Sequence, residues 1–252
     1  MHCYNILLIL LLPLGLTYSQ SVLADSLFQS GNQAMVAEEY ARAAYYYGEI
    51  LSIEQSHQDL YYNLGNAYYR QDLIGQAIWA YKKGLELSPR DKDLKYNLLI
   101  AKTFVRDRVE LPDTFFLLNY YRKIKNYATT HELLLFGSIL LVIAIIISSI
   151  NKLFFQKKTV FSRISALIVI SALLTHGMVL EKLWQQMDNV MGIVVENEIN
   201  VYSSPFGRND AIIFKLHEGL EVEINQGQSD WVEITLLDGN QGWVEFSKIR
   251  VL

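Results

Sequence analysis

A chain of 252 residues with 51% hydrophobic side chains carries more apolar character than a soluble domain usually does, and it calls for a search for membrane segments. The formal charge is −4 and the basic residues form no long block, which argues against a nucleic-acid partner. The one cysteine, Cys3, lies in a leader-like segment, so no disulfide framework, zinc site or catalytic thiol can be built downstream.

In chain order, residues 1–19 read as a signal peptide. Ile6 to Leu16 is an apolar run of suitable length, and Thr17-Tyr18-Ser19 or Val22-Leu23-Ala24 offers small residues around a cleavage point. The first five residues lack Lys and Arg, so an uncleaved anchor is the alternative. No small-residue-Cys lipobox follows the run.

Shifting the chain by 34 residues pairs Gly31 with Gly65, Asn32 with Asn66, Ala43 with Ala77, Tyr47 with Tyr81 and Leu51 with Leu85. Small, small and aromatic residues at that period resemble the tetratricopeptide repeat, a pair of antiparallel helices. The copy at 58–91 is the fuller, with Tyr61, Leu64, Gly65, Tyr68, Ala77, Tyr81 and Pro89 in place. The copy at 24–57 has Ala34 where an aromatic is common and Gln55 in place of the proline. Physically, the glycine and alanine let two helices approach closely, Tyr81 fills the space between repeats, and Pro89 stops the second helix. Gly84 stands where alanine is usual and is expected to weaken its helix slightly. A third first-helix, Lys92 to about Asp107, is expected to cap the module, which spans 24–110. Two repeats and a cap are short for a self-supporting stack, so residues 111–127 or a partner are expected to complete it. The resemblance also implies a groove, lined by the first helix of each pair, that holds an extended segment of another protein. It places Asn32, Tyr62, Asn63, Asn66, Tyr69, Arg70, Tyr96 and Asn97 on that partner-binding surface. Phe28 and Asp93 occupy two positions where relatives that clamp a terminal carboxylate need lysines, which implies an internal segment as the ligand.

Residues 111–132, rich in Phe and Tyr with a basic end, read as a juxtamembrane interfacial segment. Residues 133–150 hold no charge and span roughly 27 Å as a helix, about the thickness of a bilayer core. Residues 164–180 form a second apolar stretch, with His176 near its end, where it is expected to reach the interface. Between them, 151–163 carries Lys152, Lys157, Lys158 and Arg163 and no acid, the composition of a cytoplasmic loop. Two spans place both flanking segments on the same, extracytoplasmic side.

From 192 to 252 the pattern changes to short strands. Val222 and Ile224, then Val232 and Ile234, alternate with polar neighbours, and Asp238-Gly239 supplies hairpin turn chemistry. The order Val201-Tyr202, Leu216-His217-Glu218-Gly219, Trp231-Val232-Glu233-Ile234 and Gly242-Trp243-Val244 resembles the bacterial Src-homology-3-like family. Tyr202 stands where that family often has arginine. With Tyr202, the side chains of Trp231 and Trp243 either line a groove or fill the barrel. A domain this small needs large buried side chains, which favours the core.

Leader, two repeats, two spans with a basic loop and a small barrel, in that order, resemble the tetratricopeptide proteins of the Bat aerotolerance operon. The expected fold class is a multidomain membrane protein of all-α tetratricopeptide helical hairpins, two transmembrane helices and a small all-β SH3-like barrel. The resemblance implies a bacterial inner-membrane, multi-pass protein with both soluble parts in the periplasm. It implies von Willebrand A membrane proteins and a MoxR-type ATPase system as partners in an envelope complex linked to aerotolerance. The chain has no Gly-x-x-x-x-Gly-Lys, no Gly-x-Ser-x-Gly and no His pair at metal-ligand spacing. A non-enzymatic scaffold without catalytic residues, metal or cofactor is therefore expected. The alternative is an accessory protein that binds peptidoglycan through its SH3-like domain.

Overall fold

The computed structural model describes residues 22–53, 56–107, 115–154, 158–188, 190–207 and 211–252, so the expected signal peptide lies outside the described residues. Contacts gather the described chain into two units. One holds the residues up to 107 with 191–222 and 226–252; the other holds 115–190 with 223–225.

The first unit begins with five helices: α1 (22–36), α2 (Tyr40–Ser52), α3 (Gln58–Tyr69), α4 (Ile74–Leu87) and α5 (Lys92–Lys102). The 34-residue period of the sequence is a period of contacts. Gly31 lies so close to Tyr47, and Gly65 to Tyr81, that a Cβ on either glycine would meet the ring at 2.4 Å. Both tyrosines are fully buried. The turns repeat as well: Glu38 and Asp72 take φ of 59° and 58°. Around them, Glu39 N–H reaches Ala34 O and Leu73 N–H reaches Tyr68 O. A left-handed residue that lets the following amide close back on the last turn is a Schellman-type helix end. Glu38 and Glu39 are exposed there, and Glu39 pairs with Arg42 at 2.9 Å.

Helix α4 stops at Leu87, two residues before Pro89, as the proline dictates. Gly84 has a packing reason: a Cβ there would lie 2.9 Å from the Leu94 methyls, so glycine lets α5 pack closely on α4. Asp91 caps α5 by accepting from the amides of Asp93 and Leu94. The helix ends at Lys102, five residues short of the expected Asp107. Thr103 Oγ1 turns back to Ile100 O at 2.7 Å, and the Asp107 carboxylate is engaged by His217, which holds the chain out of helix.

Seven strands follow: β1 (Val190–Val194), β2 (Glu198–Tyr202), β3 (Ile212–His217), β4 (Glu221–Gln228), β5 (Trp231–Thr235), β6 (Gln241–Glu245) and β7 (Ile249–Val251). They make one sheet in the order β3-β2-β6-β5-β4-β1-β7. The β5–β6 hairpin turns at Asp238-Gly239, where Gly239 has φ +90° and Leu236 N–H bonds Asn240 O at 2.8 Å. Pairing is antiparallel with Val232 opposite Val244 and Glu233 opposite Trp243. The core is aliphatic: Ile199, Val201, Leu216, Val222, Val232, Ile234 and Val244 are buried.

The second unit contains α6 (Phe116–Tyr127), α7 (Thr130–Phe154) and α8 (Thr159–Asp188). Both α7 and α8 are long and apolar enough to cross a membrane, with mean hydropathies of 2.9 and 1.8 in their most apolar windows. They run beyond the expected spans, and the helices absorb Asn151 to Phe154 and Thr159 to Arg163 of the basic loop. Leu133, Gly137, Ala144 and Asn151 of α7 are buried at steps of four and seven residues, and Ala172, Thr175 and Val179 of α8 at steps of three and four, one stripe per helix. Ser165 Oγ donates to Ala144 O at 3.1 Å, and Asn151 Nδ2 donates to Lys158 O and Ser162 Oγ. His176 does not reach outward as expected. Its ring packs over Gly137 and its Nδ1 lies 2.8 Å from Ala172 O, so the seam between the helices takes it.

Candidate functional site

Three surfaces of the first unit carry side chains with binding chemistry. The first is a face of α3, on which Tyr62, Asn63, Asn66, Tyr69 and Arg70 recur at helical spacing. Asn32 from α1 and Tyr96 and Asn97 from α5 extend it. The structure brings the four asparagines into a ladder. Asn32 Oδ1 accepts from Tyr47 Oη at 2.7 Å and from Asn63 Nδ2 at 3.3 Å. One repeat later, Asn66 Oδ1 accepts from Tyr81 Oη and from Asn97 Nδ2, each at 2.8 Å. Burial pushes the Tyr47 phenol up to about 12, and raises Tyr81 further, so both stay neutral donors. The Oδ1 atoms of Asn32 and Asn66 thus serve the repeat-to-repeat joint. Tyr96 is 64% exposed, Arg70 is exposed with its guanidinium 5.3 Å from the Tyr40 ring, and Tyr69 meets Phe104 edge-on at 5.9 Å. Phe28 packs its ring between Tyr47 and His57.

The second surface is the outer face of β2, β6 and β5. Strand parity sends Val232, Ile234, Gly242 and Val244 inward, so Trp231, Glu233, Trp243 and Glu245 point outward. Trp231 and Trp243 are half-buried and do not fill the core, contrary to the expectation from domain size. Tyr202 joins them: it pairs with Trp243 across the strands, and its ring meets Trp231 edge-on at 5.3 Å and 87°. Next to Trp231 lies a hollow of about 490 Å³ lined by Ser229, Asp230, Trp231, Glu245, Phe246 and Ser247. An aromatic platform beside carboxylates and hydroxyls can stack on an apolar or sugar face while accepting hydrogen bonds at its rim.

The third surface is already occupied, and sequence reasoning missed it. The strands sit on α4, in the role assigned to residues 111–127 or a partner. Trp79, 6% exposed, donates its indole N–H to Val251 O at 2.6 Å, and the Arg250 guanidinium stacks 3.4 Å from the Trp79 ring while bonding Tyr68 Oη. Gly75 N–H donates to Glu218 Oε2 at 2.9 Å. No side chain of the helix's own caps α4, so Glu218 supplies both an acceptor and a negative charge at its N-terminal end. A Cβ on Gly75 would fall 2.3 Å from Val194 O, so only glycine allows this approach. Lys82 pairs with Glu221 at 2.5 Å. Arg106 can only donate, so His217 Nε2 accepts from it and His217 Nδ1–H donates to Asp107 at 2.8 Å. Ile193 and Leu252 join the helical core directly. A signal existed in the repeat: Gly75 and Trp79 stand where the first copy has Ala41 and Tyr45, and α4 is apolar on almost every side.

Among the described residues no group of three His, Cys, Asp or Glu is placed to hold a metal ion. Residues 195–250 match the family described as bacterial SH3 domain. A comparison of the whole chain with curated proteins gives no match. The C-terminal strands are therefore a bacterial SH3 domain, seated on a helical array and preceded by two helices of membrane-spanning length.

Proposed function

We propose that the protein is a non-enzymatic, extracytoplasmic scaffold of the bacterial inner membrane, in which a two-repeat tetratricopeptide array and an SH3 domain act as one protein-binding body. The observation that carries this reading is the joint between the halves. Residues before α7 and residues after α8 interlock through Trp79, Arg250, Gly75 and Glu218, so both must lie on one side of any membrane those helices cross. Two crossings satisfy that requirement and one does not. The basic residues around the α7–α8 connection favour its cytoplasmic placement, which puts the joined body outside. The 34-residue period of contacts supports the tetratricopeptide assignment, and the SH3 match supports an envelope address. Membrane-anchored envelope proteins of the Bat type, with von Willebrand A domains and a MoxR-type ATPase system, are the partner class this architecture suggests.

The docking face is best tested at side chains outside the asparagine ladder. Replacing Arg70 and Tyr96 with Ala is expected to leave the far-ultraviolet circular dichroism unchanged and to reduce partner recovery at least tenfold in co-purification from native membranes. An unchanged partner set would remove this face from the scaffold's function.

A second reading is favoured by the platform of Tyr202, Trp231 and Trp243 beside its acidic hollow: binding of peptidoglycan by the SH3 domain. Purified protein should then co-sediment with isolated sacculi, and Trp231→Ala should abolish that. Equal sedimentation of both proteins would leave the platform without this role.

A further inference from the structure

We propose that α6 is a lipid-binding helix, held in the membrane–water interface by a polar lock onto the last turns of α8; this rests on α7 and α8 spanning the membrane. At 100° per residue α6 divides into three sectors. One sector, Tyr121 and Lys125, faces α8. A second holds Arg122, Lys123 and Asn126. The third holds Phe116, Leu117, Tyr120, Ile124 and Tyr127, which are 68%, 53%, 64%, 43% and 58% exposed. Five large, largely apolar side chains gathered on one exposed face of a short helix would be costly in water.

The lock fixes which sector faces where. Lys125 is buried, 3% exposed, yet its charge is answered: Nζ donates to Glu181 Oε1 at 2.5 Å and to Gln185 Oε1 at 2.9 Å. Tyr121 Oη donates to the other oxygen of Glu181. Lys182 Nζ donates to Lys125 O and Ala128 O, placing a cation on the carbonyl end of α6. These bonds all land on Glu181 to Gln185, a single turn of α8, so α6 crosses α8 and does not run along it. Its other end is set by Thr129 and Glu132, which cap the start of α7 reciprocally, Thr129 N–H to Glu132 Oε2 and Glu132 N–H to Thr129 Oγ1. Only Ala128 and Thr129 separate α6 from α7. The helix is therefore tethered where one apolar helix begins and the other ends, at the level where a bilayer meets water. An aromatic face with basic residues on the adjoining sector suits that position, with Arg122 and Lys123 at the phosphates and Phe116, Tyr120 and Ile124 among the upper acyl carbons.

Spin labels on single cysteines test this in the full chain, carrying Cys3→Ser, reconstituted in vesicles of phosphatidylethanolamine and phosphatidylglycerol. Labels at positions 116, 120 and 124 should collide several-fold more with oxygen than with a water-soluble nickel chelate, and labels at 122 and 126 should show the reverse. Glu181→Gln with Lys125→Met should erase that contrast by releasing the helix. Nickel access at 116, 120 and 124 would overturn the proposal, as would shielding from both reagents, which would mean that a second protein surface covers the face. A label at Ile145 separates the two readings. If it reports lipid while α6 reports water, the interfacial helix alone fails; if it too reports water, the spanning helices fail with it.

Discussion

Trp79→Ala is expected to destabilise the first unit by about 3–5 kcal/mol and to free the SH3 domain from the helices. The side chain is large and nearly fully buried, and three interactions leave with it: the indole bond to Val251 O, the Arg250 stack and the edge-on contact with Tyr61 at 5.9 Å. Arg250 would keep its bond to Tyr68 but lose the ring that covers its guanidinium. Denaturant unfolding of the detergent-solubilised protein reads the loss, and limited proteolysis reads its location, with new cuts expected between the strands and α8. The control is Tyr45→Ala. Tyr45 occupies the same place in the first repeat, is 62% exposed, and should cost about 0.5 kcal/mol or less. Equal effects of the two substitutions would show that the strands contribute nothing through α4.

Within the SH3 domain the expected ranking reverses the ranking by side-chain size. Ile234→Ala should cost about 2–5 kcal/mol, because Ile234 is fully enclosed and a cavity would remain. Trp243→Ala, on the outer face, should cost about 1 kcal/mol. Melting of the two variants in parallel checks this. A greater loss for Trp243→Ala would return the tryptophan to the core and remove the platform.

That reversal shows what was legible in the residues and what was not. The alternation of Val232 and Ile234 with polar neighbours was plain, and parity alone then forces Trp231 and Trp243 to the other face. Strand parity outweighs the demand of a small domain for large buried side chains, and Ile199, Val201, Leu216, Val222 and Ile234 meet that demand instead. The helical period was equally plain, because Gly31, Gly65, Tyr47 and Tyr81 sit in contacts within one repeat, where spacing translates directly into geometry. The asparagines carried an ambiguity that spacing cannot resolve. A residue on the first helix can face a peptide or the fold itself, and the carbonyl oxygens of Asn32 and Asn66 accept from the tyrosine of their own repeat and from the asparagine of the next first-helix. The seat of the SH3 domain on α3 and α4 joins residues 143 to 182 positions apart, and no local pattern encodes such a pairing. Only the departure of Gly75 and Trp79 from their first-repeat counterparts pointed to it. The polar lock of Lys125 and Glu181 was hidden for the same reason, since each residue reads alone as a solvated charge.

The distance along the chain between Trp79 and its partners also sets the order of events during synthesis. Val251 follows Trp79 by 172 residues, so the surface of α4 around Gly75 and Trp79 has no cover until that length of chain has been made. At some 5–20 residues per second that interval lasts on the order of ten seconds or more. Through it, α4 presents an apolar face and a helix end that lacks its acceptor. Both are features that bind chaperones and adhere to like surfaces. The two long apolar helices must also be made and paired in the same interval, before the strands can return to the array. A slow or failed step at α7 and α8 therefore leaves the helical array unfinished, and the quantity of native protein follows the pairing of those two helices as closely as it follows the stability of the array or the strands.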